Sequence, residues 1–192
     1  MALDQGYWAQ SNLAAPDGES LRRDVELARE LGFNGVRKHQ KLEDPRFLYW
    51  ADRLGLLVWA EMPSAYSHSA KMLQRLSAEW LKAIERDYNH PSVVAWVPFN
   101  ESWGVNELAS SEEQRNAIRA LYHLTRARDS TRPVIGNDGW EHIAGDLLTI
   151  HDYTAQTEVV ARRYASPEGL AETLEVFRPA GRAIILADDN WP

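Results

Sequence analysis

The residues best placed to do chemistry lie in the stretch Val93-Val94-Ala95-Trp96-Val97-Pro98-Phe99-Asn100-Glu101-Ser102-Trp103-Gly104. There a nearly unbroken apolar run stops at an amide and a carboxylate. The run follows the helix-stopping Asn89-His90-Pro91, and its apolar, partly β-branched content predicts a strand buried on both faces. Strands of that kind belong to parallel sheets covered by helices, and in such sheets chemistry collects at the carboxyl ends of the strands. Glu101 stands at such an end, and Trp103 follows two residues later with a flat apolar surface. The plainer reading of Glu101 is a carboxylate that caps the next helix.

Other apolar runs end in the same way. Their polar ends gather Arg37, His39, Glu61, Asn100, Glu101, Asn137, Asp138, His151, Asp152 and Tyr153. Hydrolysis of a glycosidic bond is a reaction this set supports. It needs an acid to protonate the leaving oxygen and a second carboxylate as nucleophile or base, about 5–5.5 Å away in a retaining site. Glu101 suits the acid, because an apolar strand and tryptophan neighbours favour a neutral carboxylic acid. Asn100 is placed to bond a sugar hydroxyl beside the reacting carbon, Tyr153 to donate to a nucleophilic carboxylate, and Trp103 to stack on a sugar ring. Asp138 joins them as a substrate-binding candidate, and Arg37 serves equally as a site residue or as an internal partner of Glu61. A metal is not expected. None of the six histidines shows the H-E-x-x-H spacing, and His39 and His151 are unpaired in sequence. No G-x-S-x-G elbow is present for a serine hydrolase. His68, His90, His123 and His142 read as surface or helix-end residues.

The elements that must position these groups alternate between helix and strand. Asp17 or Ser20 caps a helix with the apolar stripe Leu21, Val25, Ala28 and Leu31, which Gly32 stops. Phe33 to Val36 begins a short strand. Asp44-Pro45 opens a helix with Phe47, Leu48, Ala51 and Leu54 inward and Gly55 at its end. Leu56 to Glu61 is the next strand, Ala70 to Tyr88 a long helix, and Val93 to Phe99 the strand before Glu101. A helix follows over about Glu112 to Arg128, then strands at Val134 to Asp138 and Leu147 to Ile150. A helix near Thr157 to Phe177 and a strand at Ala183 to Leu186 complete the pattern. Repeated βα units predict an α/β fold with a parallel sheet. No strand ends in the glycine-rich phosphate loop of a dinucleotide fold, so the ring of functional strand ends predicts a (β/α)8 barrel of TIM type. About six strands are present where eight would close it, so the barrel is expected to be incomplete.

Composition narrows the classes further. The chain has 192 residues, 44% hydrophobic and 26% charged, within the range of one ordinary globular domain. A net charge of -7 with scattered Lys and Arg argues against a nucleic-acid partner. The absence of cysteine excludes disulfides and thiolate metal sites. No apolar run has the length of a membrane span and the first residues do not open a signal peptide, so neither a membrane partner nor export is expected and a cytoplasmic location is. Of the eight tryptophans, Trp8, Trp59, Trp103, Trp140 and Trp191 fall at strand ends or in loops, where they suit saccharide sites. Trp50 and Trp80 sit in helical patterns and read as core.

Five segments carry a resemblance. Gly32-Phe33-Asn34-Gly35-Val36-Arg37, Asp52-Arg53-Leu54-Gly55-Leu56-Leu57-Val58-Trp59, His90-Pro91-Ser92-Val93-Val94-Ala95-Trp96, Phe99-Asn100-Glu101-Ser102 and Thr131-Arg132-Pro133-Val134 resemble, in order and spacing, the catalytic-domain motifs of glycoside hydrolase family 2. That family includes β-galactosidases, β-glucuronidases and β-mannosidases. The resemblance implies a (β/α)8 barrel, a retaining mechanism on a β-glycoside or oligosaccharide, and no organic cofactor. It implies Glu101 as acid/base, Asn100 as its sugar-binding neighbour, Arg37 as support for the nucleophile and Tyr153 as the tyrosine near it. His39 or Gln40 falls where the family often places a histidine, although Arg37-Lys38-His39-Gln40 departs from the common Arg-x-Ser-His pattern.

The family nucleophile, a glutamate in Thr/Ser-Glu-Phe/Tyr-Gly-Gly, has no counterpart here. The chain, residues 1–192, is therefore expected to be part of a catalytic barrel from a longer enzyme. Leu3 to Trp8 resembles the loop after a first barrel strand. The alternative is that Asp188, ending the strand from Ala183, replaces the glutamate with a shorter side chain. Three functions follow: a β-glycosidase domain, a non-catalytic carbohydrate-binding remnant, or a structural fragment whose open sheet edges pair with another copy.

Overall fold

The computed structural model describes the backbone of residues 1–175 and 183–189 and the side chains of residues 1–173. Four strands, β1 (Ala2–Asp4), β2 (Gly35–Lys38), β3 (Leu57–Glu61) and β4 (Val93–Val97), form one parallel sheet in that order. Two more, β5 (Leu147–Asp152) and β6 (Ala183–Asp189), pair in parallel with each other. The helices are α1 (Gly18–Glu30), α2 (Pro45–Leu54), α3 (Ala70–Asp87), α4 (Glu112–Arg128), α5 (Thr157–Tyr164) and α6 (Pro167–Glu175). This is an α/β fold with a partial parallel sheet, as an incomplete barrel of TIM type has. No helix among the described residues is long and apolar enough to cross a membrane.

Local chemistry sets the helix starts. The Asp17 side chain accepts from the Ser20 N–H at 2.7 Å, deciding the first cap in favour of Asp17, and Ser69 accepts from the Met72 N–H at 3.0 Å. Such caps satisfy backbone donors that a helix cannot satisfy itself. Asp44 caps α2, with Pro45 in its first turn and Gly55 ending it at φ 75°. The single helix expected from Thr157 onward is broken into α5 and α6 at Pro167, which lacks an N–H and disfavours helical geometry in the residue before it.

Two regions depart from the alternation read in the sequence. Ala2–Asp4 is a strand, β1, pairing Leu3 with Arg37, rather than a loop. Val134 to Asp138 is held by isolated parallel bridges instead of a regular strand. The Trp96 N–H donates to the Pro133 carbonyl at 3.1 Å, Ile135 N–H to Trp96 O at 2.9 Å and Asp138 N–H to Phe99 O at 2.9 Å. Pro133 has no donor of its own. Gly136 admits a crossing chain where any Cβ would fall 2.0 Å from the Ala144 carbonyl oxygen.

The sheet is covered on both faces. Outside it, Leu21 and Val25 of α1, Phe47 of α2, Trp80 and Ile84 of α3 and Ile118 and Leu121 of α4 pack on Val36, Val58 and Trp96. Trp80 and Trp96 meet edge to face at 5.8 Å between ring centroids, a contact worth about 0.5–1.5 kcal/mol beyond the area it buries. Inside, Trp59, Ala95, Val97 and Ile135 form a second cluster. β3 and β4 are thus pinned from two sides, and a rigid strand end is what an exact site geometry requires.

Candidate active site

Arg37, at the carboxyl end of β2, is the hub of the rim. It is 1% exposed. Its Nε donates to Glu61 Oε2 at 2.8 Å and lies 3.0 Å from Asp138 Oδ2. One terminal nitrogen donates to Asn100 Oδ1 at 2.6 Å and lies 3.2 Å from His39 Nδ1, and the other lies 3.2 Å from His151 Nε2. A guanidinium has five N–H groups in a planar fork, which lets one side chain join several elements at once. Glu61 Oε1 also accepts from the Gln40 N–H at 3.0 Å and lies 3.1 Å from His39 Nδ1. One buried cation therefore ties the ends of β2, β3 and β4, the bridged segment and β5 together.

Directly after β4 the chain turns back on itself. Glu101 and Ser102 have φ of 49° and 58°, a left-handed conformation that costs a non-glycine residue roughly 1–3 kcal/mol. The turn is closed by the Trp103 N–H donating to Asn100 O at 3.0 Å. Its strain is held by a small network: the Ser102 N–H donates to Asn137 Oδ1 at 3.0 Å, and the Asn137 amide donates to Ser102 Oγ at 3.1 Å. Ser102 Oγ in turn donates to Glu141 Oε2 at 2.5 Å. The Glu101 N–H donates to Asp138 O at 2.7 Å. Gly139 completes the fit. At φ 127°, it brings the backbone where a Cβ would be 3.4 Å from Glu101 Cγ and 3.5 Å from His151 Nδ1.

The Glu101 carboxyl is consequently fixed by one of its two oxygens. Oε1 lies 2.7 Å from His151 Nδ1 and accepts from the Tyr153 hydroxyl. Oε2 has no hydrogen-bond partner among the described residues. Beside it, Asn100 is fully buried, its Oδ1 is held by Arg37, and its Nδ2 has no partner among the described residues. A carboxyl oxygen and an amide nitrogen of adjacent residues, both left without a partner among the described residues, can hand over a proton and bind a hydroxyl. The hydrogen-bond partners of the Glu101 carboxyl are thus a histidine and a tyrosine.

His151 is buried between Glu101 and Asp138, with Nε2 3.4 Å from Asp138 Oδ1. Burial pulls its imidazole down, but the Asp138 carboxylate, aided by Glu101, outweighs this and leaves it above the usual histidine value. Burial would raise Asp138, yet contact with His151 and the Arg37 charge hold it below the usual carboxylate range. At the far end of β5 burial again opposes the shift, but Arg163, Thr154 and Tyr164 bring Asp152 down to about 2. That carboxylate anchors α5 through Arg163 at 2.6 Å.

Arg37, Glu61, Glu101, Asp138 and Tyr153 therefore share one rim, as the alternation of the sequence predicts. His39 lies beside Arg37 and Glu61. Trp103 is 44% exposed and meets Tyr66 edge to face at 5.8 Å. Trp140 stands edge to face with His151 at 6.0 Å. Trp59 is core instead of a site tryptophan, because its position in β3 faces inward. Asp188 stands opposite His151 in the β5–β6 register, its side chain lies outside the described residues, and so does Trp191. Among the described residues no group of three or more His, Asp and Glu is arranged to hold a metal ion. The role of His151 as the partner of Glu101 went unread in the sequence, since 50 residues separate the two and only its place at a strand end marked it.

The geometry can now be set beside known proteins. Residues 14–178 match the family model for glycosyl hydrolases family 2, TIM barrel domain. A β-galactosidase of Vibrio cholerae serotype O1 is 32% identical over 160 residues, 78% of this chain and 13% of that protein. The chain thus spans a small part of the length of the curated relatives it matches. Among solved structures, β-D-glucuronidase from Dictyoglomus thermophilum superposes with a TM-score of 0.75 at 20% identity, over 96% of this chain and 34% of that one. The family 2 β-galacturonidase of Eisenbergiella tayi, bound to galacturonate, gives 0.75 at 20% identity, over 94% and 33%. The family model covers most of the chain, from residue 14 to residue 178, so this chain belongs to the TIM barrel domain of glycosyl hydrolase family 2.

Proposed function

We propose that residues 1–192 are part of the catalytic barrel domain of a retaining β-glycosidase in which Glu101 is the acid/base. One observation carries the reading: Glu101 is held through Oε1 in a strained turn, while its Oε2 and the Nδ2 of the preceding Asn100 have no hydrogen-bond partner among the described residues. In the first step Glu101 gives its proton to the glycosidic oxygen as that oxygen leaves, while a carboxylate attacks the anomeric carbon. In the second, Glu101 takes a proton from the water that displaces the carboxylate. Asn100 bonds a sugar hydroxyl, and Arg37 orients Asn100 and Asp138. Tyr153 and His39 border the reacting carbon, and Trp103 offers a face to the sugar or its leaving group.

The chain covers 13% of the Vibrio cholerae relative and holds no Thr/Ser-Glu-Phe/Tyr-Gly-Gly motif, which supports a reading in which the attacking glutamate comes from another part of the barrel. Asp188 is the alternative. Its side chain is one methylene shorter than glutamate, and a misplacement of about 1 Å can cost on the order of a hundredfold in rate. The isolated chain is therefore expected to bind saccharides with little or no turnover, and the turnover tests apply to an enzyme in which the later strands complete the barrel.

A panel of β-glycosides and calorimetric saccharide titration test this reading. Glu101→Gln should keep the fold and the saccharide affinity while lowering turnover of poor leaving groups by about 10²–10⁴-fold. Azide should restore part of the turnover of activated substrates, since it needs no base. Asn100→Ala should lose saccharide affinity. Wild-type turnover by Glu101→Gln without azide response would overturn the assignment. A second reading has its own observation: β1 ends the sheet order and Leu3 on it is 46% exposed, which suits pairing of two copies edge to edge. Sedimentation showing a dimer without saccharide binding would favour a self-associating fragment with no catalytic role.

A further inference from the structure

His151 has a task beyond filling the space under Glu101. Among the described residues, three charged groups face it from three elements besides its own: Arg37 from β2, Glu101 from the turn after β4, and Asp138 from the bridged segment. Glu61 and His39 stand behind Arg37 and reach it, not His151. Just after β5, the Tyr153 ring lies 6.4 Å away, centroid to centroid. The imidazole is completely enclosed, so it exchanges no hydrogen bond with bulk water in this geometry.

The two ring nitrogens have unequal surroundings. Among the described residues Nδ1 faces a single partner, Glu101 Oε1 at 2.7 Å. Nε2 faces two of opposite character, the permanent donor Arg37 Nη1 at 3.2 Å and the acceptor Asp138 Oδ1 at 3.4 Å. When the ring is neutral, Arg37 donates into the Nε2 lone pair, which forces the proton onto Nδ1. When the ring is protonated, Nε2–H turns its charge to Asp138 and Nδ1 still carries its proton. In both states Nδ1–H donates to Glu101 Oε1. A carboxyl whose Oε1 receives a permanent donor holds its own mobile proton on the other oxygen, Oε2.

We infer that His151 is the positioning residue of the acid/base: it anchors Glu101 Oε1 in either charge state, so that the proton transferred in each step always travels on Oε2. This rests on the acid/base reading of Glu101 for its catalytic consequence, but not for the anchoring itself. No atom is transferred to or from His151 in the cycle. Nδ1–H remains a donor throughout, and Arg37 and Asp138 exchange places as the partner of Nε2.

The anchoring is read directly by nitrogen-15 NMR of the histidine rings in the wild-type chain across pH. Neutral His151 is expected as the Nδ1–H tautomer, the minor form of free imidazole, and Glu101→Gln should move its Nδ1 proton upfield. A neutral Nε2–H tautomer would overturn the inference whatever the chain's activity. The catalytic consequence is read from kcat and KM. His151→Ala should lower kcat on poor leaving groups by about a hundredfold, the scale of an ångström of misplacement, with KM little changed. His151→Asn, whose amide nitrogen falls near the Nδ1 position, should recover most of the loss, and His151→Gln should recover little. An equal kcat for His151→Ala and wild type would overturn the positioning role. Wild-type turnover by Glu101→Gln with the Nδ1–H tautomer intact in the unmutated chain would instead count against the acid/base reading alone.

Discussion

Arg37 and Lys38 are neighbours on β2, each 1% exposed, and strand alternation sends their side chains to opposite faces. Lys38 points outward. Its Nζ lies 2.5 Å from Asp4 Oδ2 and 2.7 Å from Glu43 Oε2, and 3.8 Å from the centre of the Phe47 ring. Those partners are two carboxylates and a ring, and they tie β1 and the approach to α2 to the strand. Arg37 points inward and ends on Asn100, whose Nδ2 has neither a hydrogen-bond nor an ion-pair partner among the described residues, whereas Glu43 Oε2 on the Lys38 side is ion-paired. Two buried cations of equal depth thus differ in what their partners have left to offer. A buried ion pair by itself does not mark a site, whereas one that fixes a polar group and leaves part of it unsatisfied does.

The largest test of this contrast removes each cation in turn. Arg37→Met and Lys38→Met should each destabilise the fold by about 3–5 kcal/mol, because each strands buried carboxylates. Denaturant unfolding measures this. Only Arg37→Met should also abolish saccharide binding in the folded fraction. Loss of binding in Lys38→Met at full folding would erase the distinction.

A smaller effect separates the two faces by pH. His151 is raised in the native state, so its contribution to stability is complete below its unfolded value and is lost as pH rises through the folded one. Asp138 is lowered, so its contribution is complete above its unfolded value and is lost as pH falls through the folded one. Their joint contribution is therefore fullest between about pH 4 and 6.5. Thermal melting should show the alkaline decline in the wild type and in Lys38→Met. His151→Asn should remove it, and a decline unchanged in that variant would place its origin elsewhere.

The smallest effect lies on the Lys38 side. Asp24 of α1 is raised chiefly by burial and further by the Asp4 charge. A raised carboxylate favours the native state only at low pH and weakens it as pH rises through the folded value. Asp24→Asn should accordingly stabilise the chain at pH 7, by no more than about 0.5 kcal/mol. A fall in melting temperature would show that the Asp24 charge is needed to balance Lys38 and Lys41.

Much of the fold was legible because its signals are local. Pro45 and Gly55 bracket α2, Asn89-His90-Pro91 ends α3, and the apolar run to Phe99 marks β4, each through the chemistry of a few adjacent residues. Glu101, Asn100, Arg37, Asp138 and Tyr153 were likewise legible as candidates, since strand ends can be counted along the chain. Three features were not. Ala2–Asp4 is too short to show a period and becomes a strand only because β2 offers it a partner. The segment at Val134 to Asp138 loses its regular pairing to Pro133 and to the chain that crosses Gly136. The turn at Glu101 and Ser102 takes a left-handed form that neither residue prefers, and Asn137 and Glu141 hold it from more than thirty residues away.

The sequence by itself determined which residue types stand at the strand ends and that a carboxylate follows β4, because hydrophobic periodicity and caps act over a few residues. Which oxygen of that carboxylate is held, which amide nitrogen stays open, and that His151 completes the arrangement were decided only in three dimensions. Those outcomes depend on groups 24 to 114 residues apart meeting within hydrogen-bond distance, and only the packing of β2, β3, β4 and β5 against their helices brings them there.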